Sequence, residues 1–218
     1  MSVASDGTPV DLYLMLPPRG EAEIVDAAVP ESAEILELGC GPGRVTHELL
    51  RLGHPVVAVD ESSAMLAHVR GAETICARIE ALDLGRRFPC VLLMSNLVNS
   101  DEERAAFLRA CARHVAPDGV VLIERHPPDW RPEAGTRGKL GEVEIELEDV
   151  EIGERVVAAT VRYEAAGRVW RHPFRARLLG DDELAGELAS AGLELVRTLD
   201  DSGAWLVARP ILPRIVPA

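Results

Sequence analysis

The chain has 218 residues, of which 47% are hydrophobic and 27% charged, and this composition is typical of a folded globular protein rather than a disordered one. Its length is enough for one domain with a complete hydrophobic core. The formal net charge of −13 argues against a nucleic-acid partner, because binding to phosphates requires clustered Lys and Arg.

The N-terminal segment and the cysteines indicate the compartment. The segment MSVASDGTPVDLY has no basic region followed by an apolar one, and no apolar run in the chain approaches about 18 residues. The four cysteines are dispersed without a CxxC pair, which predicts neither a disulfide framework nor a zinc site. We therefore predict a cytoplasmic protein that does not bind membranes.

Strands and helices alternate along the first half of the chain. Residues 1–30 are predicted to form an N-terminal arm and a short helix, with Pro17 and Pro18 between them. Residues 31–126 are predicted to form a core whose strands are 34–38, 55–60, 73–77, 88–95 and 120–125 and whose helices are 44–52, 63–70 and 105–115. This alternation predicts an α/β, doubly wound parallel sheet, with the continuously apolar fourth strand near its centre.

The hydrophobic period changes in the second half. Residues 139–179 contain three runs separated by Gly153 and Gly167, which predicts an insertion folded as an antiparallel β-meander. Residues 180–209 are predicted to form a terminal helix and a pair of strands. No linker divides the chain, so we predict a single domain over residues 1–218.

The stretch ILELGCGPGR, residues 35–44, is a glycine loop that follows a predicted strand. Glycines allow a tight turn and close approach of a ligand to the backbone, and free amide groups at the start of the next helix favour a polar ligand. Asp60 ends the second predicted strand, where a carboxylate accepts ribose hydroxyls. The pattern therefore predicts a cofactor that contains ribose.

The details of the loop favour one cofactor over two others. Arg44 occupies the position of the third glycine in a dinucleotide-binding GxGxxG motif, and no GK followed by Ser or Thr is present for a triphosphate. Glu37, just before the first glycine, would repel a pyrophosphate but suits a ligand with an ammonium and a sulfonium group. The charge favours S-adenosylmethionine.

ELGCGPGR followed by AVDESSAMLAHVR resembles motifs I and II of the class I S-adenosylmethionine-dependent methyltransferases. The similarity extends from about residue 20 to 209, and the insertion is similar to that of small-molecule methyltransferases of bacterial secondary metabolism. The resemblance implies a mostly parallel, seven-stranded Rossmann-like sheet whose last strand is reversed. It also implies S-adenosylmethionine as the cofactor and S-adenosylhomocysteine as its product.

The resemblance also implies roles for individual residues. Asp60 would accept the ribose hydroxyls, and Glu37 would orient the methionine portion. Ser95 and Asn96, after the fourth strand, would lie near the transferable methyl group. The loop residues and those flanking the adenine are Gly39, Cys40, Gly41, Gly43, Glu61 and Met65, of which Met65 fits the hydrophobic core equally well.

One position departs from the family. The family usually has an Asp after the third strand that contacts the adenine amino group, and this chain has Arg78 there. Either Glu80 or the backbone around Ile79 substitutes for that Asp, or the adenine contact differs.

Candidates for the acceptor side come from segments that end at the carboxyl edge of the sheet. His126 is a candidate general base, because histidine titrates near neutral pH, although it also suits the start of a Pro-Pro turn. Tyr13 would fold over the methyl group or plug the arm, and Arg19 would pair with the methionine carboxylate or face solvent. Further substrate candidates are Asn99, Trp130, Trp170 and Arg175, with His172 as another side chain that could line the pocket.

We therefore predict methyl transfer to an O, N or S nucleophile of a small molecule by in-line displacement. Alignment of the reactants alone supplies about 7–11 kcal/mol of the barrier reduction, so a general base is optional for an amine or a thiolate. A cofactor-binding protein without methyl transfer and an NAD-dependent oxidoreductase are the alternatives. We expect no metal, and either a monomer or a homodimer.

Overall fold

The structure is a computed structural model that describes residues 9–212. Residues 1–8 of the predicted N-terminal arm and residues 213–218 lie outside the described residues. Seven strands form one sheet: β1 (Ile35–Leu38), β2 (Val56–Asp60), β3 (Glu73–Cys76), β4 (Phe88–Leu93), β5 (Val115–Glu124), β10 (Leu193–Thr198) and β11 (Trp205–Pro210). Four form another: β6 (Arg137–Leu140), β7 (Val143–Ile152), β8 (Val156–Ala165) and β9 (Arg168–Arg177).

The seven-stranded sheet has the order β10-β11-β5-β4-β1-β2-β3, and β11 runs antiparallel to both of its neighbours while the other pairs are parallel. This confirms the predicted fold class, including the reversed last strand. The strand predicted to be central, β4, lies between β1 and β5. Its side chains alternate between two buried clusters, since Val91 and Leu93 belong to one and Cys90 and Leu92 to the other.

The described helices are shorter than several of the predicted ones. They are α1 (Val10–Tyr13), α2 (Glu21–Asp26), α3 (Thr46–Arg51), α4 (Ser63–Leu66), α5 (Arg104–His114) and α6 (Asp181–Ser190). In particular, α3 begins at Thr46 and not at Arg44, because the loop continues through turns and Gly43 has a φ of 90°. Amide groups of the loop, rather than a helix terminus, therefore face the ligand side.

The insertion is an antiparallel sheet of the order β6-β7-β8-β9, with four strands instead of the predicted three. The extra strand, β6, has the sequence RGKL, which lacks an alternating apolar pattern. Along β9, Trp170, His172 and Phe174 share one face, whereas Arg171 and Arg175 share the other, because strand side chains alternate. The aromatic side is half-buried and the charged side is exposed.

The N-terminal arm packs on the insertion. Leu12 of α1 is buried in a cluster with Val143 and Trp170 of the insertion. Asp11 forms an ion pair with Arg168 at the start of β9. The arm and the insertion, which are more than 100 residues apart in sequence, therefore form one continuous roof over the edge of the main sheet.

Candidate functional site

A cleft of about 360 Å³ lies at the carboxyl edge of the main sheet. It is bounded by the ends of β1, β2, β3 and β4, by the start of α5 and by the roof. Its lining residues are Tyr13, Gly39, Gly41, Asp60, Glu61, Met65, Ala77, Arg78, Ile79, Glu80, Ser95, Leu97, Glu103, Phe107 and His172. The cleft thus gathers eleven of the side chains and glycines nominated from the sequence.

The glycine loop faces Asp60 across one end of the cleft. The amide of Gly41 donates to Asp60 Oδ2 at 2.8 Å, and the amide of Ser62 donates to Oδ1 at 2.8 Å. Gly39 has a φ of 73°, and a Cβ there would lie 2.9 Å from Cδ1 of Leu97. The loop therefore needs glycine at position 39 both for its backbone conformation and for space at the cleft wall.

Three predicted cofactor residues, Glu37, Cys40 and Gly43, do not line the cleft. The Cys40 side chain is buried in the core, and a Cβ at Gly43 would meet the ring of His47 at 2.9 Å. Glu37 is 2% exposed and accepts a hydrogen bond from the Thr46 hydroxyl. Burial raises the pKa of Glu37 to about 7, since an ionised carboxylate is poorly solvated there. The predicted roles of these residues beside the methionine portion of the cofactor, for Glu37 through water or an amine contact, therefore stay predictions.

The surroundings of the loop are acidic. Arg44 lies 2.6 Å from Glu21 Oε1, and its charge opposes the raised pKa of Glu37. The charged groups that act on one another there are Glu21, Glu37, Asp60, Glu124, Arg19 and Arg44. Four carboxyl groups face two guanidinium groups here, but burial raises the pKa of Glu37 and of Glu124, so the excess of negative charge that suits a cationic ligand is smaller than this count.

The other end of the cleft is an apolar slot with a charged rim. Met65 and Ile79 are buried there beside Leu97 and Phe107. Arg78 forms an ion pair with Glu80 and lies 4.0 Å from Glu61 and 3.9 Å from Glu103. These four apolar side chains line the cleft together with Glu80 and Arg78, so an apolar ring can pack there beside a carboxylate.

The turn after β4 holds an unusual backbone. Ser95 and Asn96 have φ values of 56° and 59°, a left-handed conformation that non-glycine residues rarely adopt. The Ser95 amide donates at 2.7 Å to Oε2 of Glu124, the last residue of β5. Arg19 is exposed and bridges Glu21 and Glu124, with Nε–Oε1 and Nη2–Oε1 distances of 3.2 and 3.3 Å respectively.

His126 belongs to an aromatic stack. Its ring lies 4.1 Å from that of Trp130 at an angle of 3°, and Phe174 of the insertion lies 6.2 Å away. Burial, together with the positive charge of Arg19, lowers the pKa of His126 to about 4. The imidazole is therefore neutral at neutral pH and is a weak proton acceptor.

The remaining candidates occupy different positions. Tyr13 lies over the loop, because a Cβ at Gly41 would be 4.0 Å from its ring. Asn99 is buried, donates to the Arg177 carbonyl at 2.6 Å and accepts from the His126 amide, so its amide group joins two elements. Trp170 packs in the roof against the arm. Arg175 points to the outer side of the insertion, away from the cleft. Asn99, Trp170 and Arg175 do not line the cleft, and their contact with a substrate stays a prediction.

Comparison with known proteins identifies the core. Residues 35–119 match a family model described as a methyltransferase domain. The chain carries a methyltransferase domain. The resemblance seen in the glycine loop is therefore confirmed, and the matched segment runs from β1 into β5 and includes the loop, Asp60 and the turn after β4.

Several curated methyltransferases are similar to parts of the chain. It is 29% identical over 105 residues to the ubiquinone biosynthesis O-methyltransferase of Bradyrhizobium diazoefficiens, which covers 44% of this chain and 41% of that protein. It is 33% identical over 124 residues to the dTDP-3-amino-3,6-dideoxy-alpha-D-glucopyranose N,N-dimethyltransferase of Streptomyces fradiae, which covers 54% and 48% respectively. The similarity thus spans less than half of the length of these two curated relatives.

The fold of the methyltransferase domain and its insertion recurs in solved structures. The sugar N-methyltransferase KedS8 from Streptoalloteichus sp ATCC 53650 is similar over 96% of both chains, with a TM-score of 0.72 and 23% sequence identity. At that identity the similarity establishes the shared fold.

Sequence reasoning missed several residues around the cleft of the methyltransferase domain. Leu97, Glu103 and Phe107 line it, and Glu124 lies directly behind Ser95. Glu124 had the same signal as Asp60, namely a carboxylate at the carboxyl end of a predicted strand. No group of three or more His, Cys, Asp or Glu side chains within residues 9–212 could hold a metal ion. Over the same residues no helix is long and apolar enough to cross a membrane.

Proposed function

We propose that this protein transfers a methyl group from S-adenosylmethionine to a nucleophile of a small molecule. The observation that carries the proposal is the position of Asp60, which faces the glycine loop at the tip of β2 within the matched domain. A ribose that displaced the Gly41 amide from Oδ2 would leave Oδ1 held by Ser62, so the carboxylate stays oriented.

The cleft fits this cofactor in shape and charge. A purine suits the apolar slot, and the acidic surroundings of the loop suit a sulfonium and an ammonium group. When bound, S-adenosylmethionine supplies a methyl group already activated by the positive charge on sulfur. The protein holds the ribose through Asp60, encloses the reacting groups beneath Tyr13 and His172, and excludes water with the roof.

We further propose that the chain is a single domain whose segments have different roles. Residues 31–126 hold the cofactor, the insertion at 139–179 caps the acceptor pocket together with the arm, and residues 180–209 complete the sheet. The proposed acceptor is an O, N or S nucleophile, and the names of the relatives include both O- and N,N-dimethyltransferases. Alignment within the enclosed site supplies most of the acceleration, since His126 is a weak base at neutral pH.

We also propose the substrate class, the compartment and the oligomeric state. The net charge of −13 supports a small-molecule substrate rather than a nucleic acid. Dispersed cysteines, three of which are buried thiols, support action in the reducing cytoplasm. We propose a monomer or a homodimer without a membrane partner, and a role in secondary metabolism like that of the similar Streptomyces enzyme.

Isothermal titration with S-adenosylhomocysteine tests the proposal. The wild-type protein should bind it, and Asp60→Ala should weaken binding at least about tenfold, because charge-assisted hydrogen bonds to the ribose are lost. Asp201→Ala, in an exposed turn, is the matched control and should bind like the wild type. Absence of wild-type binding, or equal affinity of Asp60→Ala, would contradict the proposal.

A further inference from the structure

Glu124 is a buried carboxylate next to the proposed position of the methyl group. It ends β5 and is 8% exposed. Its Oε2 accepts the amide of Ser95 at 2.7 Å, and Ser95 itself lines the cleft at the end of the neighbouring strand, β4. A fixed acidic group therefore lies at the edge where the cofactor and the acceptor would meet.

The guanidinium group of Arg19 is shared between Glu124 and a second carboxylate. Arg19 Nη2 lies 3.3 Å from Glu124 Oε1, but Arg19 also pairs with Glu21 and its side chain is 47% exposed. Glu21 has a second guanidinium partner, Arg44, at 2.6 Å. Glu124 thus shares its guanidinium partner with Glu21, and Arg19 can keep Glu21 as its partner if another cation binds Glu124.

A group of three aromatic rings includes a residue close to Glu124 in sequence. His126, two residues after Glu124, stacks on Trp130, and Phe174 of the insertion lies 6.1 Å from Trp130. The neutral state of His126 adds no positive charge that would repel a cation. Carboxylates and aromatic rings are the groups with which proteins bind ammonium ions, through charge and cation–π interactions.

We propose that Glu124 binds the acceptor as an ammonium ion and removes its proton, so that the substrate is a small amine. The inference rests on the proposed methyl transfer and specifies its acceptor. The N–H bond breaks and its proton passes to a Glu124 oxygen, which leaves the electron pair on nitrogen. That pair forms the new bond to the methyl carbon while the carbon–sulfur pair stays on sulfur. Glu124 then releases its proton to solvent.

Sinefungin provides a probe that needs no knowledge of the substrate. In sinefungin a carbon that bears an amine replaces the methylated sulfur of S-adenosylmethionine. This amine is an ammonium at neutral pH. S-adenosylhomocysteine has an uncharged sulfur at the same position. The ratio of the two affinities therefore reports a negative charge at the methyl position. We expect Glu124→Gln to lower the preference for sinefungin about tenfold while S-adenosylhomocysteine affinity changes by less than about twofold.

Two variants control this measurement. Glu187→Gln removes a carboxylate that pairs with Arg104 and does not line the cleft, so it should leave the ratio of affinities unchanged. Glu124→Asp keeps the charge and should retain most of the preference. An unchanged ratio in Glu124→Gln, or an equal fall in both affinities, would overturn the inference while the proposed function stands. Failure of the wild type to bind either ligand would overturn the proposed function, and the inference with it.

Discussion

Glu37 lies beneath the glycine loop, where burial raises its pKa from 4.5 to about 7. The folded chain holds this proton more tightly than the unfolded chain, so its contribution to stability is fully present below about pH 4.5. As the pH rises toward 7 the unfolded chain loses its proton first, and the free energy of unfolding falls by about 3 kcal/mol from this group. The carboxylate therefore reduces the stability of the cofactor-free protein at neutral pH.

The variant Glu37→Gln should reverse this effect. The amide still accepts a hydrogen bond from Thr46 but does not titrate, so we expect the variant to exceed the wild type in stability by about 1–3 kcal/mol at pH 8. The difference should shrink at pH 5. Urea unfolding at both pH values measures it, with Glu31→Gln, an exposed carboxylate, as the control. A difference that does not change with pH would show that the proton on Glu37 is not responsible.

Residues at the ends of strands were the most predictable from sequence. Gly39, Gly41 and Asp60 were placed by their position after β1 and β2, and all three line the cleft. Glu124 also lies at the end of a strand, but His126 was the predicted candidate. The sequence does not show which polar side chain near the end of β5 points inward. That choice depends on the contact between Glu124 and the Ser95 amide, which sequence spacing does not reveal.

At the level of elements, alternation along β9 explains why only one of two predicted pocket residues lines the cleft. Residues 172 and 175 are an odd number apart, so they lie on opposite faces of the strand, and His172 but not Arg175 lines the cleft. Trp170 shares the face of His172 but packs against Leu12 of the arm. The docking of a four-residue helix on the insertion leaves no periodic pattern in the sequence, so that contact could not be predicted.

Arg125 joins three elements behind the site. It is 1% exposed, and it donates to the carbonyls of Leu179 and Gly203, both at 2.8 Å, and to Asp181 at the start of α6. It thereby fixes the end of β5 against the terminal helix and the turn between β10 and β11. The position of Glu124, the preceding residue, depends on this anchor.

Arg125→Met should therefore destabilise the protein strongly. The substitution leaves two carbonyl groups without their donor, and we expect the free energy of unfolding to fall by about 2–4 kcal/mol. Chemical denaturation measures the loss, and Arg209→Met on the exposed side of β11 should cost less than about 0.5 kcal/mol. Equal effects of the two substitutions would refute the anchoring role of Arg125.

For the whole molecule, the site depends on parts of the chain that are distant in sequence. The matched domain supplies the cofactor cleft, while the roof comes from the arm and the insertion, which Leu12 and the Asp11–Arg168 pair hold together. Similarity of the complete fold to KedS8 extends over both parts. We infer that the core determines which cofactor is bound and that the roof determines which acceptor reaches it.

Transfer of a labelled methyl group tests the central claim most directly. The protein is incubated with S-adenosylmethionine deuterated at the methyl group and with mixtures of small amines, alcohols and thiols, and the products are analysed by mass spectrometry. We predict that the wild type transfers the label to a small molecule, and that Asp60→Ala does so at least about tenfold more slowly at a cofactor concentration well below saturation. Binding of S-adenosylhomocysteine without transfer of label to any acceptor class would contradict the claim and would indicate a cofactor-binding protein that does not transfer methyl groups.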